Sequence, residues 1–285
     1  MRYGYDPGCS RPLEDGPRGA VPRAVAAALG LTFEEIGVPG DCAPREAAMN
    51  GIPAYARVGR LLSVAARQLG AGGLGTAAPA VVSPCSACFR NLSRAGLSLA
   101  RHPDLREQVD EEIAAEGLRF EPGAVRVRHL LDVLYEDAGP EAIRARVKTP
   151  LQGLVAAPYY GCLTTRPGLP DPAAGDPANP TRLDEILSAL GAVVVPFPLK
   201  AHCCGGHAAA SSEETATSLV HRILRCAAER NASVIVTVCP VCRQNLESGQ
   251  EAVNRRFRTR FSIPVRYFAD LLEEAFEVKT FGVRS

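Results

Sequence analysis

The spacing of the cysteines constrains this chain more than any other feature. Nine of its ten cysteines fall into two sets that repeat in order along 285 residues. The first set is Cys9, Cys42, Cys85 and Cys88; the second is Cys162, Cys203, Cys204, Cys239 and Cys242. Cys85 lies 76 positions after Cys9, and Cys239 lies 77 positions after Cys162. The flanks repeat as well. Cys9 follows Pro7-Gly8 and Cys162 follows Tyr160-Gly161. Cys85-Ser86-Ala87-Cys88-Phe89-Arg90-Asn91-Leu92 parallels Cys239-Pro240-Val241-Cys242-Arg243-Gln244-Asn245-Leu246. Self-similarity of this order reads as two copies of one unit. The division expected is a half-domain over 1–150 and a second over 151–285. The copies differ at one point: Cys203-Cys204 in the second faces Asp41-Cys42 in the first.

Disulfides, metal and redox chemistry all use cysteine, and the rest of the chain helps to choose. Met1-Arg2-Tyr3-Gly4-Tyr5-Asp6-Pro7 has no apolar core of a secretory signal, and no run of about 18 apolar residues reads as a transmembrane helix. A cytoplasmic location is therefore expected, where disulfides are not maintained. A formal charge of +1 leaves no electrostatic footprint for nucleic acid or a membrane surface. Metal or cluster ligation is what remains.

Hydrophobic patterning gives an α/β fold. In the second half Leu154–Ala157 reads as a buried strand ending near Cys162, and Ala192–Val195 as another before the Cys203-Cys204 turn. Val234–Val238 is the strongest strand and runs straight into Cys239. Helices are expected over Thr181–Leu190, from a Ser211/Glu214 capping box to Glu229, and over Tyr267–Phe276. The first half repeats the scheme with weaker strands at Phe33–Ile36 and Ala80–Val82 and a helix over Tyr55–Leu69. Further helical segments are read over Asp104–Glu116 and Leu130–Tyr135. Strands alternating with helices imply two similar halves with mostly parallel sheets flanked by helices, related by a pseudo-twofold.

In open parallel sheets functional groups gather at the carboxyl ends of strands. Cys9, Cys162, the doublet region and both Cys-x-x-Cys pairs are placed there. Each pair also lies near a helix N-terminus, where free amides and the helix dipole favour thiolate and anionic clusters. Five thiols in the second half exceed the four that a tetrahedral zinc takes, which favours iron–sulfur. In the first half the four thiols fit zinc or a cluster equally by count; the repeat favours iron–sulfur there too.

The segments Tyr5-Asp6-Pro7-Gly8-Cys9-Ser10, Tyr159-Tyr160-Gly161-Cys162 with Arg166-Pro167, His202-Cys203-Cys204-Gly205-Gly206 and Cys239-Pro240-Val241-Cys242 resemble the B-type subunit of heterodisulfide reductase, a member of the duplicated cysteine-rich CCG domain family. The resemblance spans almost the whole chain. It implies that Cys162, Cys203, Cys204, Cys239 and Cys242 ligate a noncubane 4Fe–4S cluster. Cys9, Cys42, Cys85 and Cys88 match four of the five positions in the first half. Asp41 stands where the family has a cysteine, which puts the five-cysteine cluster in doubt there; that half is expected to hold a 2Fe–2S or 4Fe–4S centre, with zinc as the lesser alternative. Asp41 is there either as an oxygen ligand or as a turn residue.

The resemblance further implies one component of an oxidoreductase complex, with a sulfur group as its substrate. That group is a disulfide, or protein-bound sulfur as in bacterial sulfur-oxidising heterodisulfide-reductase-like complexes. The partners it implies are a small ferredoxin-like subunit (the C-type component) and a flavoprotein (the A-type component). The alternatives are a CCG-type electron-transfer subunit in lactate or glycolate oxidation, and a structural zinc or scaffold subunit.

His202 and His207 bracket the cysteine doublet and are candidate proton donors to a leaving thiolate. Gly205 and Gly206 are expected to give a cofactor room for close backbone approach. His102, His129 and His221 read as helix or surface residues, and Cys226 as a buried apolar one. The Gly70–Gly75 run lacks the residues that would make it a phosphate loop and reads as a connection. Arg166–Pro180 reads as a loop, with a rim over the cluster site as its functional alternative.

Overall fold

The computed structural model describes residues 1–8, 21–36, 51–70, 78–164, 176–206 and 212–278. Cys9, Asp41, Cys42, His207 and Ser211 lie outside them, as do most of the Gly70–Gly75 run and of the Arg166–Pro180 loop.

The first sheet contains β1 (Arg2–Tyr5), β2 (Thr32–Glu35), β3 (Ala80–Ser83) and β4 (Arg126–His129), in the order β2-β1-β3-β4. The second contains β5 (Val155–Tyr159), β6 (Val193–Val194), β7 (Val234–Thr237) and β8 (Val265–Tyr267), in the order β6-β5-β7-β8. The orders are the same within each half, and every pairing is parallel. Parallel strands covered on both faces are apolar throughout rather than alternating. The central β3 and β7 accordingly bury all four of their residues.

Around the first sheet lie α1 (Val21–Ala28), α2 (Ile52–Leu69), α3 (Ser86–Arg101), α4 (Pro103–Ile113), α5 (Leu130–Val133), which runs into a π-helical turn over Leu134–Ala138, and α6 (Pro140–Arg146). Around the second lie α7 (Arg182–Ala189), α8 (Glu213–Ala228), α9 (Pro240–Phe257) and α10 (Phe268–Phe276). The helix α8 begins one residue later than the capping pattern implied. Ser212 is its cap, and its Oγ accepts the Thr215 amide at 3.2 Å. Among the described residues no helix is long and apolar enough to cross a membrane.

The sheets share one core. Val82, Leu130 and Leu134 from the first join Val236, Leu183, Ile186, Phe268 and Leu271 from the second in a single buried cluster. Arg182, almost wholly buried, ties the halves further by pairing with Asp132 and Glu136. A second cluster gathers Cys85, Cys88, Cys204, Cys239 and Cys242 with Ala157, Tyr159 and Phe197. Thiols of both halves therefore belong to one buried region.

Candidate metal centre

Each Cys-x-x-Cys pair sits where a central strand turns into a helix. Cys85 is the N-cap of α3 and Cys239 the N-cap of α9, both in extended conformation. Cys88 and Cys242 fall three residues on, in the first helical turn, where backbone N–H groups lack helical partners. The Cys239 sulfur accepts from the thiols of Cys242 and Cys85 and, more weakly, from the Cys242 and Val241 amides. These bonds outweigh burial and hold its pKa well below the ordinary thiol range. Cys242 goes the other way. Its contacts with Cys204 and Cys239, followed by burial, push its pKa well above the ordinary value. The neighbouring thiols, aided by the helix N-terminal amides, thus favour one thiolate in the pair, and a second charge beside it is opposed.

The doublet closes on the same point. Cys204 Sγ lies 3.4 Å from Cys242 Sγ. The Gly205 amide donates to Cys203 Sγ at 3.3 Å and the Gly206 amide to Cys204 Sγ at 3.4 Å. Asn245 of α9 donates to the Cys204 carbonyl at 2.7 Å, fixing the doublet to the helix that carries Cys242. The Cys162 turn is held by Lys200, whose carbonyl accepts the Tyr160 and Gly161 amides at 2.8 and 3.0 Å. Tyr159 donates to the His202 carbonyl at 2.6 Å. Burial raises its pKa well above normal, and the nearby Cys242, Cys204, Cys162 and Cys203 raise it further.

Glycines before the first cysteine of each set make the approach possible. Gly161 has φ +71°, and a Cβ there would sit 3.0 Å from Cys242 Sγ. Gly8 has φ +52°, and its Cβ would sit 2.6 Å from Cys88 Sγ. The repeated Gly-Cys step is therefore a matter of room beside the Cys-x-x-Cys sulfur. Gly205 has φ +86°, and a Cβ there would meet Ala216 of α8 at 2.9 Å, so its freedom from a side chain also serves helix packing. Gly206 does border the thiols, with its Cβ position 3.4 Å from Cys204 Sγ.

The structure thus brings Cys203, Cys204, Cys239 and Cys242 together with the Cys162 turn, and Cys85 and Cys88 into the same buried region. Cys88 is disulfide-bonded, contrary to the expectation of free thiols throughout. Among the described residues no group of three or more Cys, His, Asp or Glu is arranged about a single ion. The donor set nonetheless fits a thiolate-bound cluster: soft sulfur ligands, an N-cap that favours negative charge, and a cradle that a Cβ at Gly161 would fill. His202 is exposed at the rim, and its backbone N–H donates to the Leu199 carbonyl at 3.0 Å. Cys226 is buried in the thiol-bearing cluster as an apolar residue, its thiol pKa raised chiefly by burial.

Two residues at the site escape sequence reasoning. His129, expected on a helix or the surface, is 1% exposed at the end of β4, with its Nε2 3.4 Å from Ser86 Oγ. Burial lowers its pKa to about 4, so the ring is neutral near pH 7. Tyr267 ends β8 and donates to the Pro84 carbonyl of the other half at 2.6 Å. Their equivalent places in the two sheets are a signal open only to an alignment of β4 with β8.

A family model described as CCG, cysteine-rich domain, matches residues 156–247. The B-type subunit of the ferredoxin:CoB-CoM heterodisulfide reductase of Methanosarcina mazei is 33% identical over 195 residues, covering 67% of this chain and 64% of that protein. The 8-methylmenaquinol:fumarate reductase membrane anchor subunit of Wolinella succinogenes is 33% identical over 192 residues, covering 67% and 66%. The match thus spans just under two thirds of these relatives. A protein of Archaeoglobus profundus, named as similar to the heterodisulfide reductase B-type subunit, is 30% identical over 279 residues, covering 95% of this chain and 89% of the relative. Among solved structures, a hypothetical protein from Helicobacter pylori superposes with a TM-score of 0.71 at 10% identity, over 100% of this chain and 49% of that one, a likeness of fold alone. With its paired parallel sheets and its thiols gathered at the strand ends, the chain belongs to the family of heterodisulfide reductase B-type subunits.

Proposed function

We propose that the chain is the iron–sulfur subunit of a cytoplasmic heterodisulfide-reductase-like complex whose substrate is a disulfide or protein-bound sulfur. Cys162, Cys203, Cys204, Cys239 and Cys242 would hold a noncubane 4Fe–4S cluster. Cys85 and, once its disulfide is reduced, Cys88, joined by Cys9, Cys42 and Asp41 on the sequence pattern, would hold a 2Fe–2S or 4Fe–4S centre in the half over 1–150. When bound, such clusters supply one-electron redox chemistry and an iron site for sulfur.

The observation that carries this reading is the contact between the two halves at Cys85 and Cys239. Reduction of a disulfide consumes two electrons and two protons and yields two thiols. Two one-electron centres in one buried region suit that stoichiometry. The chain's own residues hold the site: the Gly205 and Gly206 amides donate to the doublet sulfurs, and the α9 N-terminus steadies charge at Cys239. His202, exposed beside the doublet, would hand a proton to a departing thiolate, with His207 as the second candidate on sequence grounds. Electrons would come from, or go to, a small ferredoxin-like partner and a flavoprotein.

One observation favours a second reading. The Wolinella relative is named as a component of a fumarate reductase, with no sulfur substrate in its name. An electron-transfer role is therefore the alternative. Titrating the anaerobic, reduced protein with a mixed disulfide of two small thiols, followed by electron paramagnetic resonance (EPR), tests the choice. Disulfide-dependent signals are expected; signals indifferent to the disulfide would favour electron transfer alone.

A further inference from the structure

We propose that His129 and Tyr267 form a reciprocal pair of positioning residues that set the approach of the two Cys-x-x-Cys turns, and with it the magnetic and redox coupling of the centres those turns would hold; the inference rests on the reading above.

The two residues occupy the same place in the two halves. His129 pairs in register with Ser83 across β3 and β4, and Tyr267 pairs with Thr237 across β7 and β8. Each is the N-cap of the helix that follows, α5 for His129 and α10 for Tyr267. Each side chain leaves its own half. Tyr267 donates to the carbonyl of Pro84, the residue before Cys85, at 2.6 Å. The His129 ring lies against the backbone of Val238, the residue before Cys239 in the other half. The tautomer is set locally: Nδ1 accepts the Leu131 amide at 3.1 Å, which leaves the proton on Nε2, 3.4 Å from Ser86 Oγ.

These backbone groups lie at strand ends inside the protein, where an unpaired backbone group costs about as much as a lost hydrogen bond. Each half thus brings a side-chain donor to the other half's backbone next to its first cysteine. Cys85 and Cys239 meet between these two contacts. The partnership is the same on both sides, yet one side uses an imidazole and the other a phenol. A donor placed there is what the arrangement requires, rather than one residue type.

The test uses the full chain, anaerobic and iron-loaded, with Tyr267→Phe, His129→Leu and His129→Gln. Iron content and thermal unfolding are measured beside the EPR interaction between centres and their midpoint potentials. Tyr267→Phe keeps the ring and loses only the hydroxyl. It is expected to hold wild-type iron while the interaction splitting changes and at least one potential shifts. His129→Leu should do the same, and His129→Gln, which retains a side-chain N–H, should lie closer to wild type. Full iron with unchanged splitting and potentials in Tyr267→Phe and His129→Leu overturns the inference alone. Loss of iron or of the folded state in all three variants overturns it too, since the pair would then be architectural. A wild-type chain that takes up no iron is a different result, and it defeats the functional reading beneath it.

Discussion

Cys85 and Cys239, the N-cap residues of α3 and α9, are in hydrogen-bond contact across the two halves. The repeat that separates them in sequence joins them in space. Both stand at the end of a central parallel strand, and the sheets share one core that presses those strand ends together. A redox site at the junction uses both copies of the unit.

Cys204→Ala removes a thiol that contacts Cys242 at 3.4 Å, from a residue whose carbonyl is bound by Asn245. The second-half centre should be lost and its EPR signal with it, while the first-half signal persists. Unchanged iron content and spectra would remove Cys204 from the ligand set.

Gly161→Ala places a Cβ 3.0 Å from Cys242 Sγ at a residue with φ +71°. A left-handed conformation costs a non-glycine residue about 1–2 kcal/mol. Denaturant unfolding should show a loss of that size, and iron loading of the second half should fall because the sulfur must move.

Lys200→Met breaks a nearly buried ion pair. The Lys200 ammonium donates to Asp184 at 2.7 Å and to the Pro180 carbonyl at 2.9 Å, and Tyr160 donates to the same Asp184 carboxylate at 2.7 Å. Leaving one partner of such a pair uncompensated costs about 3 kcal/mol. Because the Lys200 carbonyl also holds the Cys162 turn, the variant should be both less stable and poorer in iron, as unfolding curves and metal content would show.

Tyr3 carries a pH dependence at the alkaline end. Burial and then its hydrogen bond to Asp137, 2.8 Å long, raise its pKa from 10.0 to about 12. The folded state therefore holds the phenolic proton more tightly than the unfolded one. The contribution is fully present below pH 10 and is lost as pH rises from about 10 to about 12. Unfolding free energy should fall across that window, and Tyr3→Phe should fall less steeply over the same range.

The second half is more legible in the sequence than the first, for physical reasons. Val234–Val236 is apolar because β7 is covered on both faces, and its run through Thr237 and Val238 into Cys239 marks the strand end directly. β1, β4 and β8 carry no such mark. β4 is Arg126-Val127-Arg128-His129 and β8 is Val265-Arg266-Tyr267, edge strands whose arginines are not buried. β1 contains Gly4, a residue strands usually avoid, because a Cβ there would lie 2.7 Å from Ile36. The thiol constellation follows from spacing alone. The approach of His129 to Val238 and the Tyr267–Pro84 bond do not, because they cross between halves and depend on the docking of two sheets.

The central claim is that these thiols hold iron–sulfur centres, and metal analysis with EPR on anaerobically purified protein tests it most directly. The predicted result is iron with acid-labile sulfide and distinct paramagnetic signals from the two halves. Zinc-only protein with no visible absorption, even after anaerobic reconstitution with iron and sulfide, would contradict it.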